Sequence, residues 1–481
     1  MRDWLRVNPM LMLLIPLVIG IVAIEHSSSF RTARLHHSGI ILDSLQTYTA
    51  VLADYPKARR KTWLCECLVQ NSDMPSPARV YVYLYKDSMH TYLPPASLGD
   101  TLVLRAAFTG GEMLGTFDYG LYLQRKGISA VAYVPEGSWY LAAHAPASGP
   151  LYWRRSVVDY YQRLGITGRQ LAVLSALTLG TKEYLDKEIQ TSFQRAGAAH
   201  ILAVSGLHTA VIAAVLIWIL SMLGIWTNVY DKRSRRWIAA LCLILALGAY
   251  AVLTGMSPSV LRSVLMLSLM TVAWAAFRQP VTLNIWAASA FLILCFRPMD
   301  IFSVSFQLSY MAVLALILYA TPLTRLCPVQ SIKQPLLRKA AAYIWGLIAV
   351  SVAAQIGVLP LTMYYFSQMN NCFILTNMVV IPLTGLIVVG ALAVLLLGTV
   401  PYIGACVVGL EKTMLTALDK YVCFMERLPW AVTDIEADIS MVILLYMAVA
   451  FATVALKKEN NRWLAATAVC LLIVVFEYVC L

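Results

Sequence analysis

The stretch HILAVSGLHTAVI, His200 to Ile212, sets two histidines and a serine inside an apolar run of membrane-spanning character. Its reading depends on the solvent, and composition names that solvent. Over 481 residues the chain is 60% hydrophobic and 13% charged, with a mean hydropathy of +0.70, far from the soluble globular average. The apolar runs are continuous rather than alternating. In hydrocarbon only helices or closed barrels satisfy their own backbone polar groups, so the pattern predicts a polytopic α-helical membrane protein.

The net charge of +12 means less than its placement. Arg2 and Arg6 precede an apolar run from Pro9 to about Ile24, which predicts an anchor over 1–24 with a cytoplasmic N-terminus. A cleaved signal peptide is the rival reading, but no clear A-x-A site follows. Ten further spans are predicted at about 199–223, 237–254, 259–277, 281–296, 304–321, 340–360, 372–398, 403–422, 440–456 and 463–480. Alternation puts three basic connectors inside: YDKRSRRW with Lys232, Arg233, Arg235 and Arg236, the 322–339 loop, and LKKENNRW with Lys457, Lys458 and Arg462. All three obey the positive-inside rule. The weakest span is 403–422, where Glu411, Lys412, Asp419 and Lys420 would also suit an interfacial amphipathic helix, though removing this span alone would invert the side of Lys457 and Arg462.

Between anchor and bundle, residues 25–170 are polar and too long for an unstructured loop. In ARVYVYLYKD, Val80, Val82 and Leu84 alternate with Tyr81, Tyr83 and Tyr85, a period of two that predicts a strand with one aliphatic and one aromatic face. KTWLCECLVQ, DTLVLRAAFTG and ISAVAYVPEGSWYLAA add further strand signals. An extracytoplasmic small β-barrel, OB-like, is the expectation. The tyrosines beside Arg59 and Arg60 suit stacking of single-stranded nucleic acid, or they pack against cross-strand neighbours. Of the ten cysteines, Cys65 and Cys67 lie i and i+2 on one strand, too close for a relaxed disulfide and too few for a metal site.

Polar groups within membrane spans are costly and face a bundle interior or a wet path. His200 and His208 on one regular helix would stand roughly 80° apart in projection, with Gly206 between them able to break the helix. Arg262, Gln307, Tyr310, Gln355 and Asn377 place polar groups in four further stretches. They predict either a polar path or a bundle held by interhelical hydrogen bonds. An intramembrane serine hydrolase with Ser205 as nucleophile and His208 as base is a competing chemistry, though no third orienting group is evident. A small-solute transporter is another. There is no GxxxxGK[ST] for nucleotide hydrolysis and no HxHxDH for a metal nuclease. No catalytic residue, metal site or cofactor is therefore predicted.

At these residues the chain resembles the ComEC family of bacterial competence proteins. The resemblance is carried, in order, by GTFDYGLYLQRKGI at 115–128, LGTKEYL at 179–185, FQRAGAAHILAVSGLH at 193–208, LTGMSPSVLRS at 253–263, SFQLSY at 305–310 and NMVVIP at 377–382. It implies an inner-membrane channel for uptake of transforming single-stranded DNA, with an external OB-like domain over 25–170 and a competence domain over 171–481. His200, Ser205, Gly206 and His208 match the family's most specific motif, and Arg262, Gln307, Tyr310, Gln355 and Asn377 match its polar positions. Longer members add a C-terminal metallo-β-lactamase-like domain absent from this sequence, which implies a separate nuclease. A polyanion path also needs a driving force, so a cytoplasmic ATPase is an expected partner beside DNA and membrane lipid.

Overall fold

The computed structural model describes residues 9–26, 40, 42–71, 77–86, 96, 99–111, 113–114, 117–144, 149–181, 184–202, 204–226, 233–279, 281–458 and 461–480. Arg2, Arg6, Lys232 and parts of three motifs, 115–116, 182–183 and 203, lie outside them. The chain divides into two compact units, one of 12–160 with 293–302, the other of 161–292 and 303–481 with the first eleven residues.

The first unit holds helix α1 (Pro9–His26) and strands β1 (Leu45–Leu52), β2 (Lys57–Ala58), β3 (Thr62–Gln70), β4 (Ala78–Tyr85), β5 (Thr101–Ala107), β6 (Met113–Leu114), β7 (Phe117–Asp118), β8 (Ala130–Val134) and β9 (Trp139–Ala143), with helix α2 (Tyr119–Arg125) before β8. The main sheet runs β8-β4-β3-β1-β5-β9, with β2 on β3. Its pairs are antiparallel except β4 with β8. Past β5, Thr109 and Val131 exchange backbone bonds of 2.8 and 2.9 Å, which joins the end of β5 to β8 and brings the sheet round on itself.

Strand alternation explains the interior. Tyr48, Ala50 and Leu52 of β1, Val80, Val82 and Leu84 of β4, and Leu102 and Leu104 of β5 enter one core with Cys65, Cys67 and Phe108. The opposite phase of β4 faces outward. Cys65 and Cys67 are free, buried thiols on the inner face. Burial pushes the Cys65 thiol up to about 12 and raises Cys67 further from its ordinary range, with Cys65 and Glu66 adding to the effect. A folded value above the unfolded one means that these thiols favour the fold below about pH 9 and that this contribution is lost as pH rises toward 12. Iodoacetamide at pH 8 is expected to modify neither cysteine in the native protein and both in denaturant; native labelling at Cys65 would contradict the buried assignment.

The second unit is helical: after α3 (Pro150–Arg163), which crosses the boundary, come α4 (Gly168–Leu179), α5 (Lys187–Arg195), α6 (Gly206–Met222), α7 (Arg233–Leu253), α8 (Pro258–Ala275), α9 (Thr282–Phe296), α10 (Val304–Arg325), α11 (Pro335–Phe366), α12 (Phe373–Leu397), α13 (Ile403–Glu426), α14 (Ile439–Lys458) and α15 (Asn461–Cys480). Short strands β10 (Gln368–Asn370) and β11 (Val432–Asp434) pair antiparallel. Five helices, α7, α8, α10, α11 and α12, are long and apolar enough to cross a membrane, and α1, α6, α9, α14 and α15 contain shorter apolar helices.

Helix α13 lacks the composition of a lipid-facing span, yet it lies antiparallel along the whole of α12. Gly404 packs on Gly398, Glu411 on Gly390, the Tyr421 hydroxyl donates to the Leu375 carbonyl at 2.8 Å, and Asn370 pairs with Val432 beyond the far end. A helix held at both ends and the middle runs beside its partner over its whole length. Part of its charged stripe meets protein, while Lys420 stays exposed. Arg169 of α4 binds Asp419 at 3.0 Å and Glu188 of α5 at 3.0 Å, and the Gln170 amide donates to the Thr416 hydroxyl at 2.9 Å. Leu415, Leu418, Val422 and Met425 of α13 are buried at helical spacing, the apolar face of an amphipathic helix.

Candidate functional site

The polar residues of the apolar runs are largely helix beginnings. Helix α6 starts at Gly206 with Ser205 as its N-cap, α8 at Pro258 after Ser257, and α10 at Val304 after Ser303, whose hydroxyl accepts from the Phe306 N–H at 3.1 Å. Serine suits this place because the first N–H groups of a helix have no intrahelical acceptor. Proline suits the next because it has no N–H to satisfy. The expected helix from 199 therefore begins seven residues later, and His200 stands in the preceding turn, exposed. The two histidines do not share a helix face, because His200 lies in the turn before α6 and only His208 is within it.

His208 is at the third position of α6 and 1% exposed. Its Nδ1 accepts from the Ser205 backbone N–H at 2.9 Å and lies 2.9 Å from the Ser205 hydroxyl oxygen, a reciprocal cap with histidine in the place usually held by Glu or Gln. Accepting at Nδ1 leaves the proton on Nε2, which is buried without a hydrogen-bond partner. The distance is one a serine nucleophile and its base would show, but the Nδ1 lone pair already serves the backbone and no acceptor orients Nε2. Ser205→Ala is expected to lower stability by about 0.5–2 kcal/mol through loss of the cap. Ser205→Asn, which can cap but not attack, is expected to keep near-wild-type thermal stability and activity; activity as low as in a deletion would revive the hydrolase.

Contacts link these first turns. A Cβ on Gly206 would lie 3.4 Å from the Ser263 hydroxyl, so α6 begins against α8. One turn along, Arg262 is 2% exposed and donates from one terminal nitrogen to the Ser305 carbonyl at 3.0 Å and hydroxyl at 3.1 Å, which joins α8 to the start of α10. Gln307 accepts from the Tyr365 hydroxyl of α11 at 2.8 Å. The Thr376 hydroxyl on the first turn of α12 donates to the Ala196 carbonyl at 2.7 Å, and the Asn370 amide to the Arg195 carbonyl at 2.6 Å. Asn377 reaches the Ser351 hydroxyl at 3.3 Å. Three helices thus present their N-terminal, partly positive ends in one seam with a guanidinium among them, an arrangement that favours anions.

Two predicted residues take other places. Tyr310 is 4% exposed, with its hydroxyl 3.1 Å from the Ser289 oxygen, its carbonyl accepting from Trp286 at 2.9 Å and its ring tilted on Phe306; it packs α10 on α9. Gln355 is half-buried on α11, and no hydrogen bond joins it to the seam among the described residues. Ser263, Ser351, Tyr365 and Thr376 were not predicted. The repeated Ser-x-x pattern before an apolar run, in SGLH, SPSV and SVSF, is the signal that marks the helix starts. Beside the seam a cavity of about 360 Å³ is lined by Arg195, Glu426, Arg427, Leu428, Pro429 and Val432. Among the described residues no three His, Cys, Asp or Glu side chains converge to hold a metal.

On the β unit, Arg59 and Arg60 are exposed in the β2–β3 turn. Tyr81 and Tyr83 are half-covered by Leu123 of α2, Ile128 and Val131, where Asp118 caps α2 by accepting from the Leu121 N–H at 2.8 Å. Burial, with Glu66 nearby, pushes the Tyr81 phenol up to about 12. Tyr85 is 45% exposed, and Tyr133 of β8, 58% exposed, stacks on Tyr83 at 4.8 Å. The ladder both packs and presents aromatic faces.

The model of the family Competence protein matches residues 177–460, the region that contains every element of the seam. The chain belongs to this family. It is 27% identical over 387 residues to ComE operon protein 3 of Bacillus subtilis (strain 168), covering 76% of this chain and 45% of that protein. It is 31% identical over 165 residues to competence protein ComA of Neisseria gonorrhoeae, covering 34% and 23%, and 29% over 219 residues to the uncharacterized protein YcaI of Escherichia coli (strain K12), covering 45% and 28%. The chain thus spans less than half the length of these curated relatives. No solved structure matches it. With its apolar spans, it is a multi-pass protein of the bacterial cytoplasmic membrane.

Proposed function

We propose that the bundle conducts transforming single-stranded DNA into the cytoplasm and that residues 25–170 form an extracytoplasmic, OB-like receiving domain. The observation that carries the reading is the seam of first turns around Arg262 within the region that matches the Competence family. A strand of phosphates crossing hydrocarbon needs polar lining and fixed positive potential, and helix N-termini with a buried guanidinium supply both. The β unit supports its half of the reading through the parallel β4–β8 pair, the Thr109–Val131 closure and the outward Tyr85 and Tyr133 near Arg59 and Arg60, where bases would stack and phosphates pair. On this reading the role is conduction, with a cytoplasmic ATPase as the partner that draws the strand inward.

The test is transformation frequency in a competent strain lacking the protein, complemented with wild type or with Tyr85→Ala/Tyr133→Ala at matched membrane abundance. Deletion is expected to abolish transformation, and the double variant to lower it about tenfold, in line with one lost base stack. Unchanged transformation on deletion would leave the small-solute transporter as the better reading.

A further inference from the structure

Glu411 has no part in the seam, yet it is the most unusual carboxyl in the bundle. It is 0% exposed, and neither oxygen has a hydrogen-bond partner. It sits against Gly390 of α12, where any side chain would overlap its Oε2 and crowd Met414, so the glycine makes the space that the acid fills. Gly390 lies seven residues from the Leu397 end of α12, about 10 Å along the axis, and hence well within the layer.

Among the described residues no cation answers it. Helix α12 has no titratable side chain from Phe373 to Leu397. Helix α4 brings only Arg169, which is engaged by Asp419 and Glu188, and Asp419 is two turns from Glu411. Helix α5 brings Lys187, Glu188 and Arg195, and Glu188 is turned to Arg169. On α13 itself, Lys412 points away to the Gly165 turn, and Lys420 and Glu426 lie nine and fifteen residues further on. An unpaired carboxylate is not stable in such surroundings, whereas the acid is.

We propose that Glu411 is a proton-binding site that the bundle uses during transport, loaded while α12 and α13 are closed and emptied when they part. The carboxyl O–H bond breaks to give carboxylate and a proton taken up by water, which reaches the site only when Gly390 and Glu411 separate; reclosure requires the proton to return. The glycine makes closure possible around the acid, and the lack of a neighbouring cation makes closure depend on the proton.

The test uses the full-length protein in membranes and a hydrophobic carbodiimide, which adds to a protonated carboxyl to give a stable N-acylurea, located by mass spectrometry. Glu411 is expected to be labelled at neutral pH at least tenfold more than Asp419 or Glu426, with labelling falling as pH rises. Glu411→Gln, uncharged and of the same shape, is expected to accumulate normally and to lower uptake tenfold or more. Labelling of Glu411 no greater than that of Asp419, or wild-type uptake by Glu411→Gln, would overturn the proposal. The uptake arm rests on the DNA reading above and the labelling arm does not, so a DNA-independent protein would still show the labelled site.

Discussion

Arg262→Gln is expected to lower transformation at least a hundredfold at matched membrane abundance. The guanidinium is 2% exposed, in the second turn of α8, and its two bonds to Ser305 tie that turn to the beginning of α10. Glutamine removes the one buried cation of the seam and leaves the Ser305 carbonyl short of a donor. Removing one partner of a buried, hydrogen-bonded charge costs about 2–5 kcal/mol, and each 1.4 kcal/mol is a factor of about ten, so a hundredfold loss lies at the lower end of that range. Arg262→Lys keeps the charge but loses the fork that reaches two acceptors, and an intermediate loss of about tenfold is expected. Wild-type transformation by Arg262→Gln would remove Arg262 from the path.

Gly357→Ala is expected to have the largest effect on the bundle itself, a loss of about 3 kcal/mol read as a lowered thermal midpoint in detergent and a sharp fall in membrane abundance. A Cβ at Gly357 would overlap the Met311 carbonyl oxygen and stand 2.6 Å from the Ala315 Cβ. The obstacle is backbone of α10 and cannot rotate aside, while the Gly357 carbonyl also accepts from the Tyr446 hydroxyl of α14 at 2.8 Å. Close approach through small residues is how helices attract one another where no hydrophobic effect operates between them. Gly346→Ala is the control on the same helix. Nothing lies within 4 Å of its Cβ position, so the substitution should be neutral or stabilise α11 by up to about 1 kcal/mol. Equal behaviour of the two variants would show that α10 and α11 do not meet at Gly357.

The strands and the apolar helices were legible because each is written in short-range sequence pattern. Val80, Val82 and Leu84 announce an inner face whatever the rest of the chain does, and the run from Phe373 to Leu397 is apolar for all but a few of its residues. The motif at His200–His208 was harder. Apolarity hid the helix start at Gly206, since a cap needs only one serine and the residues on either side remain as hydrophobic as a span. Helix α13 was ambiguous for the opposite reason: its polar stripe gives no sign that Arg169 and Gln170, some 250 residues away in sequence, reach Asp419 and Thr416.

By themselves, the residues of this chain determined its solvent, its helical class and the alternating strands of its polar segment. These follow from hydropathy and spacing over a few residues, and no distant contact can reverse them. The tertiary structure alone decided that Arg262 meets Ser305, that Thr109 closes onto Val131 and that Glu411 fills the space above Gly390. Each joins elements separated by 20 residues or more. The energy of such a pair depends on what else is excluded from the same space, which is a property of packing and not of local sequence.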